Sequence, residues 1–235
     1  MGKSARTVFK RTEKKYLVTA AQFERLCKAF QGKAKPDEYG AYTICNVYFD
    51  TDTNELIRHS IEKPVFKEKL RARSYGTPTA ESRVFLEMKR KFKGEVYKRR
   101  VSMRYADLQA YLRTGTHAQT EKNRQIFAEI DYFFRFYHPE PKLYLAYDRV
   151  AFCGIEDETL RITFDRDIRY RETDLTLAAG DSGEKLLPDG IYVMEIKANG
   201  AMPIWLCDIL DREGLFPTSF SKYGNIYKRL QQRGA

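Results

Sequence analysis

The chain has 235 residues, of which 43% are hydrophobic and 14% aromatic, and this composition excludes an intrinsically disordered protein. Lysine and arginine number 42 and aspartate and glutamate 32, so the formal net charge is 42 − 32 = +10, which favours anionic partners. The four cysteines lack the spacing and the neighbouring histidines of a zinc site, so we expect free thiols in a cytoplasmic protein.

The distribution of apolar residues along the chain predicts neither a targeting segment nor a membrane-spanning segment. Residues 1–15 are polar and basic and have no apolar stretch of the kind that a secretory signal contains. No apolar run approaches the roughly 20 residues that cross a bilayer. We therefore expect a single domain over residues 1–235 with no membrane segment of its own.

Sequence patterns predict about eight strands, four helices and three loops along the chain. The first helix begins at Thr19, where Gln22 completes a capping box. The other helices are predicted from apolar residues at helical spacing: Ile126–Tyr137, Pro203–Gly214, and a last helix with Ile226, Tyr227 and Leu230. Strands are predicted near residues 11–15, 42–50, 65–74, 84–89, 98–100, 143–152, 160–165 and 192–197. Loops are predicted at residues 31–40, 76–82 and 177–190, and we expect the last to be the most mobile.

Many of the predicted strands carry charge on one face and apolar groups on the other. In Val65–Ser74 the alternate positions Lys67, Lys69, Arg71 and Arg73 form an almost purely cationic face. The same parity joins Arg11, Glu13 and Lys15; Glu87 and Lys89; Lys98 and Arg100; Arg161, Thr163 and Asp165; and Glu195 and Lys197. A single charged face is commonly a solvated surface, but six or more such strands call for another explanation.

If helices cover the apolar faces, the charged faces converge inside a closed barrel. Buried cations are costly unless water or a bound anion compensates them, which predicts a wet tunnel for a polyanion. We therefore expect an α+β fold, an eight-stranded antiparallel β tunnel with helices packed on the outside. Carboxylates among the cations, notably Glu13, Glu87, Asp165 and Glu195, would let Mg²⁺ or Mn²⁺ bridge the protein to phosphates and so support phosphoryl transfer.

Nine short motifs occur in an order that resembles a known family. They are R-x-E-x-K-Y at 11–16, Y-F-D-T at 48–51, K-L-R-A-R-S-Y-G at 69–76, F-L-E-M-K-R at 85–90, V-Y-K-R-R at 96–100, Y-D-R-V-A-F at 147–152, L-R-I-T-F-D at 160–165, V-M-E-I-K at 193–197 and S-F-S-K-Y at 219–223. Together they resemble a VTC domain, the polyphosphate polymerase domain of the vacuolar transporter chaperone complex, within the CYTH or triphosphate tunnel metalloenzyme superfamily.

The resemblance implies transfer of the γ-phosphate of ATP, or another nucleoside triphosphate, to a growing polyphosphate chain, with Mn²⁺ or Mg²⁺ as cofactor. The phosphate-binding residues that it implies are Lys15, Arg71, Arg73, Lys89, Lys98, Arg149, Arg161, Lys197 and Lys222. It places the metal-binding glutamate at Glu195, and Glu87 and Glu13 are assigned supporting metal or water roles.

Two other functions stay open. A tunnel triphosphatase would use the same anion site with water as the acceptor, although the first motif lacks the full E-x-E-x-K pattern of hydrolytic members. A non-catalytic module that binds polyphosphate is the second alternative, and without an RNA-binding signature we expect no nucleic-acid partner. We expect neither the SPX domain nor the membrane helices of the eukaryotic enzymes in this chain, which leaves a separate membrane partner and the oligomeric state open.

Overall fold

A computed structural model describes residues 11–62, 64–93, 95–117, 120–121 and 123–233, with the side chain of Arg11 excepted. The basic residues 1–10, on which part of the prediction about a signal sequence rests, lie outside the described residues. Among the described residues, no helix is long and apolar enough to span a membrane.

Nine strands and six helices make up the described chain, so the α+β class is confirmed. The strands are β1 Arg11–Thr19, β2 Ala34–Asp50, β3 Phe66–Tyr75, β4 Arg83–Phe92, β5 Glu95–Arg104, β6 Glu140–Gly154, β7 Arg161–Arg171, β8 Glu184–Lys185 and β9 Ile191–Asn199. The helices are α1 Ala20–Ala29, α2 Glu55–Glu62, α3 Tyr105–Thr114, α4 Arg124–Tyr137, α5 Ile204–Arg212 and α6 Lys222–Arg233.

The strands form one sheet in the order β1-β9-β7-β6-β2-β3-β4-β5, and β8 pairs with β7. This path has two ends, β1 and β5, so the described strands do not close into the eight-stranded barrel expected from the sequence. Alternation assigns a face to each side chain, but closure depends on strand tilt and stagger, which alternation does not encode. The confirmed architecture is therefore a large antiparallel sheet with six helices.

The chain divides into two compact units. Of the described residues, those within 11–42, 148–167 and 187–220 form unit 1, and those within 43–147, 168–186 and 221–233 form unit 2. The prediction of one domain over residues 1–235 is not decided by this division and stays a prediction.

In unit 1, β9 pairs with β1 along one edge and with the first half of β7 along the other. Glu195 of β9 is therefore opposite Lys15 of β1 and opposite Thr163 of β7. Their apolar face packs against α1 and α5 in one buried cluster, which includes Leu26, Phe164 and Leu206. The predicted capping box at Thr19 is confirmed, because its hydroxyl accepts from the Gln22 amide and the Gln22 side chain accepts from the Thr19 amide.

In unit 2, strands β2 to β5 form a meander whose apolar face carries Val47, Leu70 and Leu86. Helices α3 and α4 cover this face with residues such as Leu108 and Ile130. Helices thus cover the apolar face of the sheet in each unit, as the sequence predicted.

The structure differs from the prediction in two expected loops and in two further helices. Residues 34–40, which were expected in the first loop, form the beginning of β2. This half of the strand is largely exposed and resembles a loop in composition, so the sequence pattern did not predict a strand there. Helices α2 and α3 were not predicted. The expected loop at 177–190 contains β8 and is held by hydrogen bonds from Arg229 to the carbonyls of Lys185 and Leu186.

Asp50, at the end of β2, ties two helices of unit 2 to the sheet. Its buried carboxylate accepts hydrogen bonds from the amides of Leu56 and Ile57 in the first turn of α2, at 2.8 and 2.9 Å. It also accepts from the hydroxyl of Tyr223 in α6 at 3.2 Å. With the backbone amide of Thr51, which donates to it at 2.8 Å, four donors would lose their acceptor if this carboxylate were removed.

We expect Asp50→Ala to lower the free energy of unfolding by about 3 kcal/mol, because buried donors left without an acceptor carry their full desolvation cost. Asp52→Ala is the matched control, since the Asp52 side chain is 94% exposed and accepts an exposed hydrogen bond from Lys142 at 3.3 Å. Urea unfolding followed by circular dichroism measures both changes, and equal stability of the two variants would contradict the role given to Asp50.

Candidate functional site

Antiparallel register sets charged side chains side by side across four strands of unit 2. Tyr48 of β2 is opposite Arg71 of β3, Arg71 is opposite Glu87 of β4, and Glu87 is opposite Arg100 of β5. Residues that are directly opposite point to the same face with Cβ atoms about 5 Å apart. One row of the sheet therefore brings a phenol, two guanidinium groups and one carboxylate together.

The carboxylate of Glu87 is the centre of this row, and its side chain is only 2% exposed. Arg71 contacts Oε2 through Nε at 2.9 Å and through Nη2 at 2.7 Å, and Arg73 Nε lies 3.7 Å from the same oxygen. Lys98 Nζ lies 3.1 Å from Oε1, and Arg100 Nε donates to Oε1 at 2.6 Å. One carboxylate thus serves four cations.

This surplus of positive charge acts on the ionisation of the groups within it. Burial alone would raise the pKa of Glu87, but the charges of Arg71, Arg73 and Lys98 outweigh it and hold the pKa well below its usual range. Burial lowers the pKa of Lys98, and Glu87 opposes that shift. Glu87 is therefore ionised at any physiological pH.

Three lysines form a second row on the same face. Lys69 of β3 is opposite Lys89 of β4, and Lys89 is opposite Lys98 of β5. Like charges placed directly opposite each other repel, so this row stores an unfavourable interaction. An anion bound between the lysine side chains would remove that repulsion.

β2 contributes polar contacts to the two arginines of β3. The Tyr48 hydroxyl accepts from Arg71 Nη1 at 2.9 Å, and Asn46 Oδ1 accepts from Arg73 Nε at 3.0 Å. Burial alone would raise the pKa of Tyr48, but the charges of Arg71, Lys69 and Arg73 lower it to about 8. Neither Asn46 nor Tyr48 was predicted as a site residue.

Lys222, the first residue of α6, lies in unit 2 with its Nζ 4.5 Å from the centre of the Tyr147 ring. A cation over an aromatic face is attracted by the negative face of the ring. The ring thus gives the Lys222 ammonium a defined position within this unit.

Unit 1 carries a smaller group of predicted site residues around Glu195, whose side chain is 12% exposed. Lys197 Nζ contacts Oε1 of Glu195, and Lys15 Nζ lies 3.9 Å from Oε2 and 3.8 Å from Oε1 of Glu13. Lys15 is held in place because its Nζ donates to the carbonyl of Phe220 at 3.0 Å.

The two arginines predicted in unit 1 have separate partners. Arg149 binds the fully buried carboxylate of Asp165 in a bidentate manner, from Nε at 2.6 Å and from Nη2 at 2.8 Å. Arg161 reaches Asp37 through Nη2 at 3.4 Å. Asp37 lies in a segment predicted as a loop, so sequence patterns gave no sign of this pair.

The oxygen atoms near Glu195 fit a divalent cation. Thr163 is opposite Glu195 in the register, and its hydroxyl is buried without a hydrogen-bond partner among the described residues. Carboxylate and hydroxyl oxygens are ligands that Mg²⁺ and Mn²⁺ accept. No group of three or more acidic, histidine or cysteine side chains that could hold a metal occurs in the described part of the chain, so phosphates or water would complete the coordination.

Within each unit, most of the predicted residues lie close together. Unit 2 places Arg71, Arg73, Lys98 and Glu87 in contact and Lys89 in the adjacent row, with Lys222 on Tyr147. Unit 1 places Lys15, Lys197, Glu195 and Glu13 together, with Arg149 and Arg161 in separate ion pairs. Their roles in catalysis and metal binding stay predictions.

Four residues were missed as members of the site: Arg100, Asn46, Tyr48 and Thr163. Arg100 and Thr163 share the parity of predicted residues, so the alternation contained the signal for both. Asn46 and Tyr48 alternate with the apolar Val47 and Phe49 in β2. The asparagine within this apolar run was the feature of the sequence that could have indicated a site residue.

Comparison with known proteins connects this geometry to a family. The family model described as the VTC domain matches residues 10–231. Subunit 4 of the vacuolar transporter chaperone complex from Trypanosoma brucei brucei is 28% identical over 163 residues, which are 57% of this chain and 20% of that protein. The chain thus matches about a fifth of the length of this curated relative.

Two solved structures share the fold. A candidate adenylate cyclase from Bacillus halodurans has a TM-score of 0.56 at 16% identity and covers 89% of this chain and 92% of its own. A candidate adenylyl cyclase from Hippeastrum, described as having a dominant triphosphatase activity, has a TM-score of 0.53 at 15% identity and covers 91% and 93%. Because the family model spans nearly all of the described residues, the chain belongs to the VTC domain family.

Proposed function

We propose that this chain is a metal-dependent polyphosphate polymerase that transfers the γ-phosphate of a nucleoside triphosphate, such as ATP, to the end of a polyphosphate chain. The observation that carries the proposal is the charge on one face of β3, β4 and β5 in unit 2. In the two rows described above, six cations accompany the carboxylate of Glu87: Lys69, Arg71, Arg73, Lys89, Lys98 and Arg100. The next pair on this face, Lys67 and Lys91, adds two more.

A surface with this imbalance is suited to a ligand with several negative charges. The one carboxylate cannot neutralise six cations, and both of its oxygens already contact arginine or lysine. Triphosphates and polyphosphates supply a series of anionic oxygens at regular spacing. Arg71 and Arg73 suit the reacting phosphate because a guanidinium group can donate to two oxygens at once, while the lysines act as point charges along the chain.

Glu87 is unsuited to act as the general base of a hydrolase. Attack by water needs a base to take up a proton, and a carboxylate whose pKa lies far below its usual range is a poor base at neutral pH. The terminal phosphate of a polyphosphate is already an anion and needs no such base. In this proposal Glu87 positions Arg71 and Lys98; the metal role predicted for Glu87 and Glu13 stays a prediction.

Glu195 and the Thr163 hydroxyl would hold the divalent cation, Mn²⁺ or Mg²⁺. When bound, the ion neutralises charge on phosphate oxygens and orients the donor. Lys15 and Lys197 remain near Glu195 to bind phosphate oxygens. The arginines lower the barrier by stabilising charge that develops on the transferred group, which is worth about 3 kcal/mol for each such donor.

Association with a separate membrane partner rests on the family resemblance alone. The cytoplasmic location rests on the cysteine usage and the lack of a signal pattern in the sequence. The trypanosome relative is named as a subunit of a complex, which supports the expectation of further subunits.

A triphosphatase is the second candidate, because a protein of the same fold is described as having dominant triphosphatase activity. Product analysis separates the two functions. We expect purified protein with ATP, Mn²⁺ and a short phosphate primer to yield long polyphosphate on a gel. Orthophosphate as the sole product would identify a hydrolase, and binding without any turnover would identify a non-catalytic module.

We expect Arg71→Ala and Lys89→Ala each to lower the polymerase rate about a hundredfold, because each removes a positive charge from the phosphate-binding face. Arg104→Ala and Lys28→Ala are matched controls, since both side chains are exposed and lie outside the two groups of site residues. Initial rates and circular dichroism spectra test this, and folded variants with wild-type rates would contradict the assignment.

We expect Glu195→Gln to weaken Mn²⁺ binding at least about tenfold, because the amide keeps the shape of the side chain but loses its charge. Electron paramagnetic resonance of free Mn²⁺ measures this independently of turnover. Glu24→Gln, an exposed residue of α1 in the same unit, is the control. Unchanged Mn²⁺ affinity in Glu195→Gln would show that the cation binds elsewhere.

A further inference from the structure

Arg71 and Arg73 are fixed by different sets of contacts, and both sets include a polar residue of β2. The Arg71 guanidinium donates from Nε to Glu87 and from Nη1 to the Tyr48 hydroxyl, each at 2.9 Å, and its Nη2 lies 2.7 Å from the same Glu87 oxygen. An arginine has five N–H donors, so these two hydrogen bonds leave one N–H on Nη1 and two on Nη2. A phosphate can accept from Nη1 and Nη2 together.

Arg73 is oriented by Asn46 in a similar way. Its Nε donates to Asn46 Oδ1 at 3.0 Å, and the Arg73 side chain is 8% exposed. Asn46 itself is fully buried, and its Nδ2 donates to the carbonyl of Leu145 at 3.0 Å. Because one end of the amide must donate and the other must accept, the direction of the Asn46 side chain is determined.

We propose that Tyr48 is a positioning residue that holds the Arg71 guanidinium in the orientation in which its remaining N–H groups meet a phosphate. Asn46 does the same for Arg73. This inference rests on the proposed function and deepens it, since it adds to the site two uncharged residues that need not contact the substrate themselves.

Register explains why β2 can perform this role. Tyr48 is directly opposite Arg71 and Asn46 is directly opposite Arg73, so each polar side chain starts about 5 Å from its arginine on the same face. The Tyr48 ring also packs against Tyr223 at 4.9 Å between ring centres and is 9% exposed, which restricts its motion. An arginine held by a rigid neighbour loses less conformational freedom when it binds an anion.

Binding of inorganic tripolyphosphate without metal, measured by calorimetry, tests the inference directly. Tyr48→Phe removes only the hydroxyl and keeps the ring contacts, and we expect affinity to fall about tenfold. Arg71→Ala should lose about a hundredfold. The control Tyr97→Phe removes a hydroxyl from an exposed tyrosine of β5 and should change affinity less than about twofold.

A double-mutant cycle distinguishes positioning from direct contact. If Tyr48 acts through Arg71, adding Tyr48→Phe to Arg71→Ala should change affinity less than about twofold. If the two losses multiply, Tyr48 contacts the ligand itself and the positioning role is wrong. Asn46→Ser in the Arg73→Ala background gives the corresponding test for the second pair.

The dependence on pH supplies a readout that a merely structural role would not change. Tyr48 is faced by Lys69, Arg71 and Arg73 of β3 and by the ring of Tyr223 from α6. The three cations outweigh the effect of burial and lower the pKa of Tyr48 to about 8. Below pH 8 the neutral hydroxyl orients Arg71, whereas above it the phenolate competes with phosphate for that cation. The roughly tenfold advantage of the wild type over Tyr48→Phe should therefore shrink between pH 7 and pH 9.

The outcomes separate this inference from the proposed function. If Tyr48→Phe binds tripolyphosphate as tightly as the wild type while Arg71→Ala does not bind it, the positioning role is wrong and the function stands. If the wild-type protein itself does not bind tripolyphosphate, both are wrong. A lower melting temperature of Tyr48→Phe with unchanged affinity would identify a structural residue only.

Discussion

The contacts of Glu87 are the constraint on which unit 2 depends. Its carboxylate lies on the middle strand of three and meets Arg71 and Arg73 from β3 and Lys98 and Arg100 from β5. This attraction offsets part of the repulsion among the cations of β3, β4 and β5, and the single charge of Glu87 is shared by four of them. The apolar opposite face, with Leu70 and Leu86, packs against Ile130 of α4 and stabilises the strands that hold these cations in place. One face of these strands thus stabilises the fold by apolar packing, while the other face carries the charged side chains.

Alternation in the sequence predicted which side chains share a face, and this part was confirmed. In β3, for example, Leu70 and Ala72 are buried in the apolar cluster while Arg71 meets Glu87 on the other face. Helices with strong capping or apolar spacing, such as the one after Thr19, were also predicted correctly. These features follow from local geometry, because each depends on residues two to four positions apart.

Features that depend on partners distant in sequence were not predictable in this way. Register decides that Tyr48 and Asn46 of β2 meet Arg71 and Arg73 of β3, and alternation within either strand does not encode it. Helix α2 begins where it does because Asp50 accepts from its first amides, which is a contact of the folded chain. The pair formed by Arg161 and Asp37 joins residues 124 positions apart. Closure of the sheet is a further property of this kind, and the described strands end at β1 and β5.

The order of the strands has a consequence for how unit 2 folds. Strands β2 to β5 are consecutive in the chain and in the sheet, so their contacts are close in sequence and can form early. If these three strands assemble first, six cations meet before the rest of the molecule surrounds them. Glu87 occupies the central strand of this early structure, where its charge can offset the repulsion between both neighbours. The same carboxylate that orients the arginines in the folded protein would then also allow the meander to form.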